Sequence, residues 1–135
     1  VQGMFDAKNV NFKELPDGEP LKQASSDGRG FAVSGGVAAA VVKAVNRMDP
    51  TRTVKVVSAE GLANCKKMMQ LAKAGKYNGY LLEGMACPGG CVAGAGTIQP
   101  IKKTVTSLEL MKKQAEFEEC MDTKYEEMLP KLEQL

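Results

Sequence analysis

The chain has 135 residues, 44% of them hydrophobic, and 18 basic against 16 acidic side chains, for a formal net charge of +2. That length suits one ordinary domain, able to bury roughly two-thirds of its unfolded surface without disulfides, and the composition excludes disordered and fibrous classes. Near-balanced charge, few aromatics and no dense basic run argue against a nucleic-acid partner, and neither an apolar run of about 18 residues nor a leading basic-then-apolar segment is present, so a cytoplasmic protein without a membrane span is expected.

In chain order, the opening VQGMFDAKNV reads as the tail of a helix whose beginning lies outside the chain, as though cut from something longer. From Leu15 to Gly30, three prolines and glycines at 16, 18 and 20 together with Ser25, Ser26, Asp27 and Gly28 give turn chemistry without apolar periodicity, so 15–30 is expected to be a long surface connection. Ser34 is placed to cap a helix that carries Val37, Val41, Ala44, Val45 and Met48 on one face and stops near Asp49-Pro50. Thr53–Ser58 is short and β-branched, a strand. Glu60 to Ala74 then sets Leu62, Cys65, Met69 and Ala72 on one helical stripe, with Gly75 as its stop, and Tyr80-Leu81-Leu82 reads as a second strand. Strand, helix and strand within about 30 residues make a βαβ unit with parallel strands and a right-handed crossover. Beyond Pro100, residues 104–135 read as a helical segment with Leu110, Phe117, Met121 and Met128 in a stripe, disturbed near Asp122-Thr123 and Pro130. The whole chain, 1–135, is expected to be one α/β domain, three layers deep (α/β/α), with a small, mostly parallel sheet.

Histidine and tryptophan are absent, which removes the Ser-His-Asp triad, the HExxH zinc site and histidine proton shuttling. Chemistry here must use cysteine, carboxylate, lysine or a cofactor. Of four cysteines only Cys87 and Cys91 lie close in sequence; Cys65 and Cys120 sit on helical apolar or mixed faces, where burial as small hydrophobes is the expected role.

The close pair lies in the loop 84–100, at the carboxyl end of the second strand, where open parallel sheets place their binding chemistry. From Glu83 to Pro100 the run EGMACPGGCVAGAGTIQP holds five glycines, two prolines and two cysteines in 18 residues, incompatible with a packed helix or strand interior. Glycines let amides point at sulfur or anionic oxygen, and a wall of small residues can surround a bulky inorganic group. Two thiolates four residues apart could both bind one cluster. A plain glycine-rich turn, a zinc site and dithiol exchange are the other readings; structural zinc uses four ligands, and redox loops usually space their cysteines C-x-x-C.

The segment MACPGGCVAGAG, preceded by a strand ending in Glu83 and followed by Gln99-Pro100, resembles the last cluster-binding motif of the iron-only, or [FeFe], hydrogenases. FAVSGGVAAAV from Phe31 is similar to that family's Phe-Gly-x-Thr-Gly-Gly-Val segment, and GLANCKKMMQLAKAGKYNGYLLEGMACPGGC to the run leading into the motif. The resemblance implies one lobe of a catalytic domain that reversibly reduces protons to dihydrogen at a [4Fe-4S] cluster joined through a cysteine sulfur to a diiron subcluster, the H-cluster. By motif position Cys87 and Cys91 are implied as ligands of the cube, Cys91 also bridging to the diiron unit, with Phe31, Val37 and Met85 lining the diiron cavity. Ferredoxin is the implied electron partner.

The family's other two ligands come from TSCCP and MPCxxK motifs, which this chain does not contain, and its GGGQP tail reads GAGTIQP here. The expectation is a C-terminal fragment of a larger hydrogenase-like chain, cluster-free and inactive alone, completed by the remaining half of the catalytic domain. Two other classes stay open: a non-catalytic regulatory or interaction module, and a thiol redox protein.

Overall fold

The computed structural model describes residues 1–19, 22–123 and 128. Among the described residues three helices precede a strand–helix–strand–helix run: α1 (Gln2–Ala7), α2 (Ser26–Gly30), α3 (Gly36–Met48), β1 (Lys55–Glu60), α4 (Leu62–Lys73), β2 (Tyr80–Met85) and α5 (Ile101–Lys113), with 3-10 turns at Cys91–Ala93 and Cys120–Asp122. The strands pair in parallel, from Lys55 opposite Tyr80 to Glu60 opposite Met85, so both carboxyl ends fall at one edge of the ladder. β2 runs three residues beyond Leu82 and carries Met85 on the strand itself.

Alternation along β2 fixes the layers. The Glu83 carboxylate reaches the backbone of α3, accepting the Ala38 N–H at 3.2 Å. A Cβ on Gly84 would instead meet Cys65 Sγ at 3.3 Å and Met68 Cε at 3.7 Å, both on α4. Helices α3 and α4 therefore cover opposite faces, giving the expected α/β/α arrangement around an all-parallel, two-stranded sheet.

Several local expectations are corrected. Ser34 does not cap α3: Gly35 holds the N-cap position without a side-chain bond, and the first turn is satisfied from across the layer by Glu83. On α4 the inner face is Cys65, Met68 and Ala72; Met68 is 6% exposed, whereas Leu62 at 74% and Met69 face outward. A helix that packs against only two strands buries a narrow strip, so a stripe read by period alone is set one position off. On α3, Ala38 and Ala40 are buried while Met48 is exposed. The connection 15–30 ends early, because Ser25 is buried, accepts the Gly28 N–H at 3.0 Å and starts α2.

The C-terminal helical segment is also shorter than its pattern. α5 ends at Lys113, and Phe117 lies in an extended stretch whose carbonyl accepts the Ser26 N–H at 2.8 Å, with Glu118 taking the Asp27 N–H at 3.0 Å. Those carbonyls satisfy the free amides of α2, which a continuous helix could not do. Pro130 and most of 124–135 lie outside the described residues. Two ion-pair groups hold this segment to α3: Arg47 with Glu119 at 3.1 Å and Asp122 at 2.5 Å, and Lys43 with Glu118 at 3.9 Å; Lys43 also pairs with Asp27 of α2 at 2.8 Å.

The core is thin. Only Ala38, Ala40, Met68 and Val92 are buried apolar residues among those described. The accessible surface is 10556 Å², against roughly 6800 Å² for a compact monomer of this mass.

Candidate functional site

Past Met85 the chain enters the two-cysteine loop, which lies against the turn between α2 and α3. Val92 N–H donates to the Ala32 carbonyl at 3.1 Å, and Ser34 N–H reaches the Gly89 carbonyl at 3.4 Å. The approach depends on Gly90, at φ 91° and ψ −164°. A Cβ there would come within 2.6 Å of the Ala32 oxygen and 2.7 Å of the Ser34 nitrogen. Few residues other than glycine adopt that backbone conformation, and none leaves room for both neighbours.

Inside the loop, Gly90 N–H donates to the Cys87 carbonyl at 3.0 Å and Gly94 N–H to that of Cys91 at 3.1 Å. Between these tight turns Cys87 is half-buried and Cys91 exposed, neither in a disulfide. A Cβ on Gly94 would lie 3.7 Å from Cys87 Sγ, so its absence keeps the sulfur's flank open.

The loop is tied to the sheet by Glu60, the last residue of β1. Its Oε2 accepts the Gly89 N–H at 2.8 Å. That bond first, and then the influence of the Ser34 hydroxyl, hold the Glu60 carboxyl below the usual glutamate range, because both favour the ionised form. Gly61 N–H donates to the Met85 carbonyl at 2.8 Å, closing the other side of the strand ends.

Val37 and Met85 line one cleft of about 260 Å³ with Val41, Leu81 and Glu83. Glu83 is 8% exposed, and its second oxygen, Oε2, is buried without a hydrogen-bond partner. Phe31 is not in that lining. Its ring, 41% exposed, borders a separate hollow with Ser25, Gly28 and Cys120.

The other two thiols are turned elsewhere. Cys65 Sγ lies 3.5 Å from the carbonyl oxygens of both Ala59 and Met85, and Cys120 Sγ accepts from the Ser25 hydroxyl at 3.6 Å. Among the described residues no group of three or more His, Cys, Asp or Glu side chains converges as a metal site. A [4Fe-4S] cluster takes four cysteines. The loop therefore fits such a cluster as two of its four donors and not as a complete site. Sequence reasoning missed Glu60 and Glu83 as contributors; the available signal was a carboxylate at or near the carboxyl end of each of two parallel strands.

Residues 1–95 match the family described as iron only hydrogenase large subunit, C-terminal domain. The chain is 32% identical over 127 residues to the periplasmic [Fe] hydrogenase large subunit of Nitratidesulfovibrio vulgaris, an alignment covering 73% of this chain and 30% of that protein. It is 28% identical over 137 residues to an NADP-reducing hydrogenase subunit of Solidesulfovibrio fructosivorans, covering 80% and 23%. A probable cytosolic Fe-S cluster assembly factor of Drosophila mojavensis is 36% identical over 67 residues, covering 45% and 14%. The chain thus spans less than a third of the length of these relatives.

Proposed function

Because the chain belongs to the family of the iron-only hydrogenase large subunit, C-terminal domain, we propose that it forms one lobe of an iron–sulfur catalytic domain and supplies two cysteine ligands to the centre held there. The observation that carries this reading is the span of the family match, 1–95, which contains both the turn 31–37 and the loop 87–91 that the backbone locks together. In the completed domain Cys87 and Cys91 would hold the iron–sulfur cluster, Cys91 on the side of the diiron unit. The bound cofactor would supply the exchange of two electrons between protons and dihydrogen.

The chain's own residues set the surroundings. In the completed domain Met85 and Val37, which share one cleft, would form an apolar wall beside the centre; Phe31 borders a separate hollow and would reach it only with the other half in place. Gly94 leaves the flank of the Cys87 sulfur free, and Gly90 lets the loop approach the turn. The other two ligands would come from the remaining half of the catalytic domain, and ferredoxin is the electron donor we propose for the whole. An exposed surface about half as large again as a compact monomer's supports such a partner. Ligation needs reduced thiols, which a cytoplasmic setting, the one we propose, would supply.

A second reading, an iron–sulfur protein of this family without hydrogen chemistry, is favoured by the similarity to cytosolic Fe-S cluster assembly factors. Anaerobic reconstitution with iron and sulfide, followed by absorption and EPR spectroscopy, tests the ligand reading. The chain alone is expected to retain no stoichiometric cluster, while the completed domain retains one and loses it with Cys91→Ala. Hydrogen evolution by the completed domain, loaded with the diiron unit, separates the two readings.

A further inference from the structure

We propose that Glu60 is a positioning residue for the two-cysteine loop, a carboxylate clip that sets the loop's conformation from the rigid end of the sheet. The significance for ligation rests on the reading of Cys87 and Cys91 above; the clip itself does not.

The loop has a conformational problem that its own sequence does not solve. Gly89 and Gly90 follow one another at φ 89° and 91°. Glycine permits such angles but does not enforce them, and it loses more backbone entropy on folding than any other residue. An outside contact must select the conformation. Three hydrogen bonds from outside reach this stretch: Val92 N–H to the Ala32 carbonyl, Ser34 N–H to the Gly89 carbonyl, and Gly89 N–H to Glu60 Oε2. Two are backbone bonds to the turn 31–34, and work only if that turn is itself in place. The third comes from a side chain.

Glu60 grips the residue through which the loop meets the turn: Gly89 donates its N–H to the carboxylate and accepts the Ser34 N–H on its carbonyl. Its own backbone is fixed in the ladder opposite Met85. Gly89 lies midway between Cys87 and Cys91, so an atom held there sets where both thiols leave the backbone. Glu60 is in none of the ion pairs among the described residues, and its carboxylate is directed to this task.

The test uses the 135-residue chain, reduced and without metal, with two readouts: amide exchange at Gly89 by NMR, and iodoacetamide alkylation rates of each cysteine by mass spectrometry. Glu60→Ala is expected to speed Gly89 exchange about tenfold and Cys87 alkylation about fivefold, as loss of a charge-assisted bond opens the loop locally. Cys65, beneath α4, is expected to stay within about twofold, since its surroundings do not depend on the clip. Glu60→Gln keeps an acceptor for Gly89 and a polar group for Ser34, and is expected to restore both readouts. Unchanged Gly89 and Cys87 in Glu60→Ala would overturn the proposal. So would an equal rise at Cys65, which would make Glu60 a support of the whole fold, or a Gln variant that behaves like Ala. Failure here leaves the ligand reading intact, whereas an intact clip in a completed domain that binds no cluster removes the ligand reading alone.

Discussion

The Glu83 carboxylate on β2 accepts the Ala38 N–H of α3 at 3.2 Å, so the helix that follows the turn 31–36 is capped by a residue 45 positions later in the chain. This one bond couples the strand leading to Met85 and Cys87 with the helix that carries Val37. The positive end of α3 thus faces the Glu83 side chain.

Replacing Glu83 by alanine should therefore cost more than an exposed cap. A buried hydrogen bond is lost and a cavity is left between the layers, for an expected destabilisation of about 2–4 kcal/mol. Chemical denaturation would read the loss, and exchange at Ala38 should accelerate before that of β1. A stability within error of the parent would mean that the helix start is satisfied by water.

Gly90→Ala should undock the loop. The added Cβ meets backbone atoms of Ala32 and Ser34, which have no rotamer to change, and alanine strongly disfavours this backbone conformation. The expected cost is at least about 2 kcal/mol, with loss of protection at Val92 in an exchange experiment. Gly18→Ala is a fitting control, since a Cβ there meets nothing within 4 Å.

Gly84 offers a milder version on the opposite face. Its missing side chain leaves room for Cys65 and Met68. Gly84→Val should overpack this layer at a cost of about 1–3 kcal/mol and push α4 outward. Raised alkylation of Cys65 relative to Cys87 would report the shift.

Acidification should release the segment 119–122 from α3 before the sheet opens. The hydrogen bond from Arg47, then that from the Glu119 backbone, hold the Asp122 carboxyl below its ordinary value. A carboxylate depressed in the folded state contributes stability above its unfolded pKa of about 3.9, and that contribution disappears as pH falls through the folded value. The contact should thus be complete at neutral pH and lost only below about pH 4. Amide shifts of Cys120–Asp122 during an acid titration would follow it, and Arg47→Met should remove the dependence.

Much of the architecture was legible in the residues. The β-branched run ending at Ser58, the helix stop at Gly75 and the apolar Tyr80–Leu82 determine a βαβ unit by short-range propensity and punctuation, and the structure contains it. The run from Glu83 to Pro100 marked the loop, because two prolines and five glycines among two thiols suit no regular element. Side-chain direction was less legible. Leu62 and Met69 have the right period for an inner face and point outward, because the face of α4 is chosen by the two strands it meets and not by its own pattern.

What the linear chain determined, then, is the order of its elements and the place of its cysteine loop, since both follow from local backbone preference. Tertiary structure decided which atoms hold that loop. Glu60 meets Gly89 across 29 positions, Glu83 meets Ala38 across 45, and the carbonyls of Phe117 and Glu118 receive the first amides of α2. Each of these contacts satisfies a backbone group that local sequence leaves without a partner, and the chain's three-dimensional path alone determines which distant group arrives to fill the need.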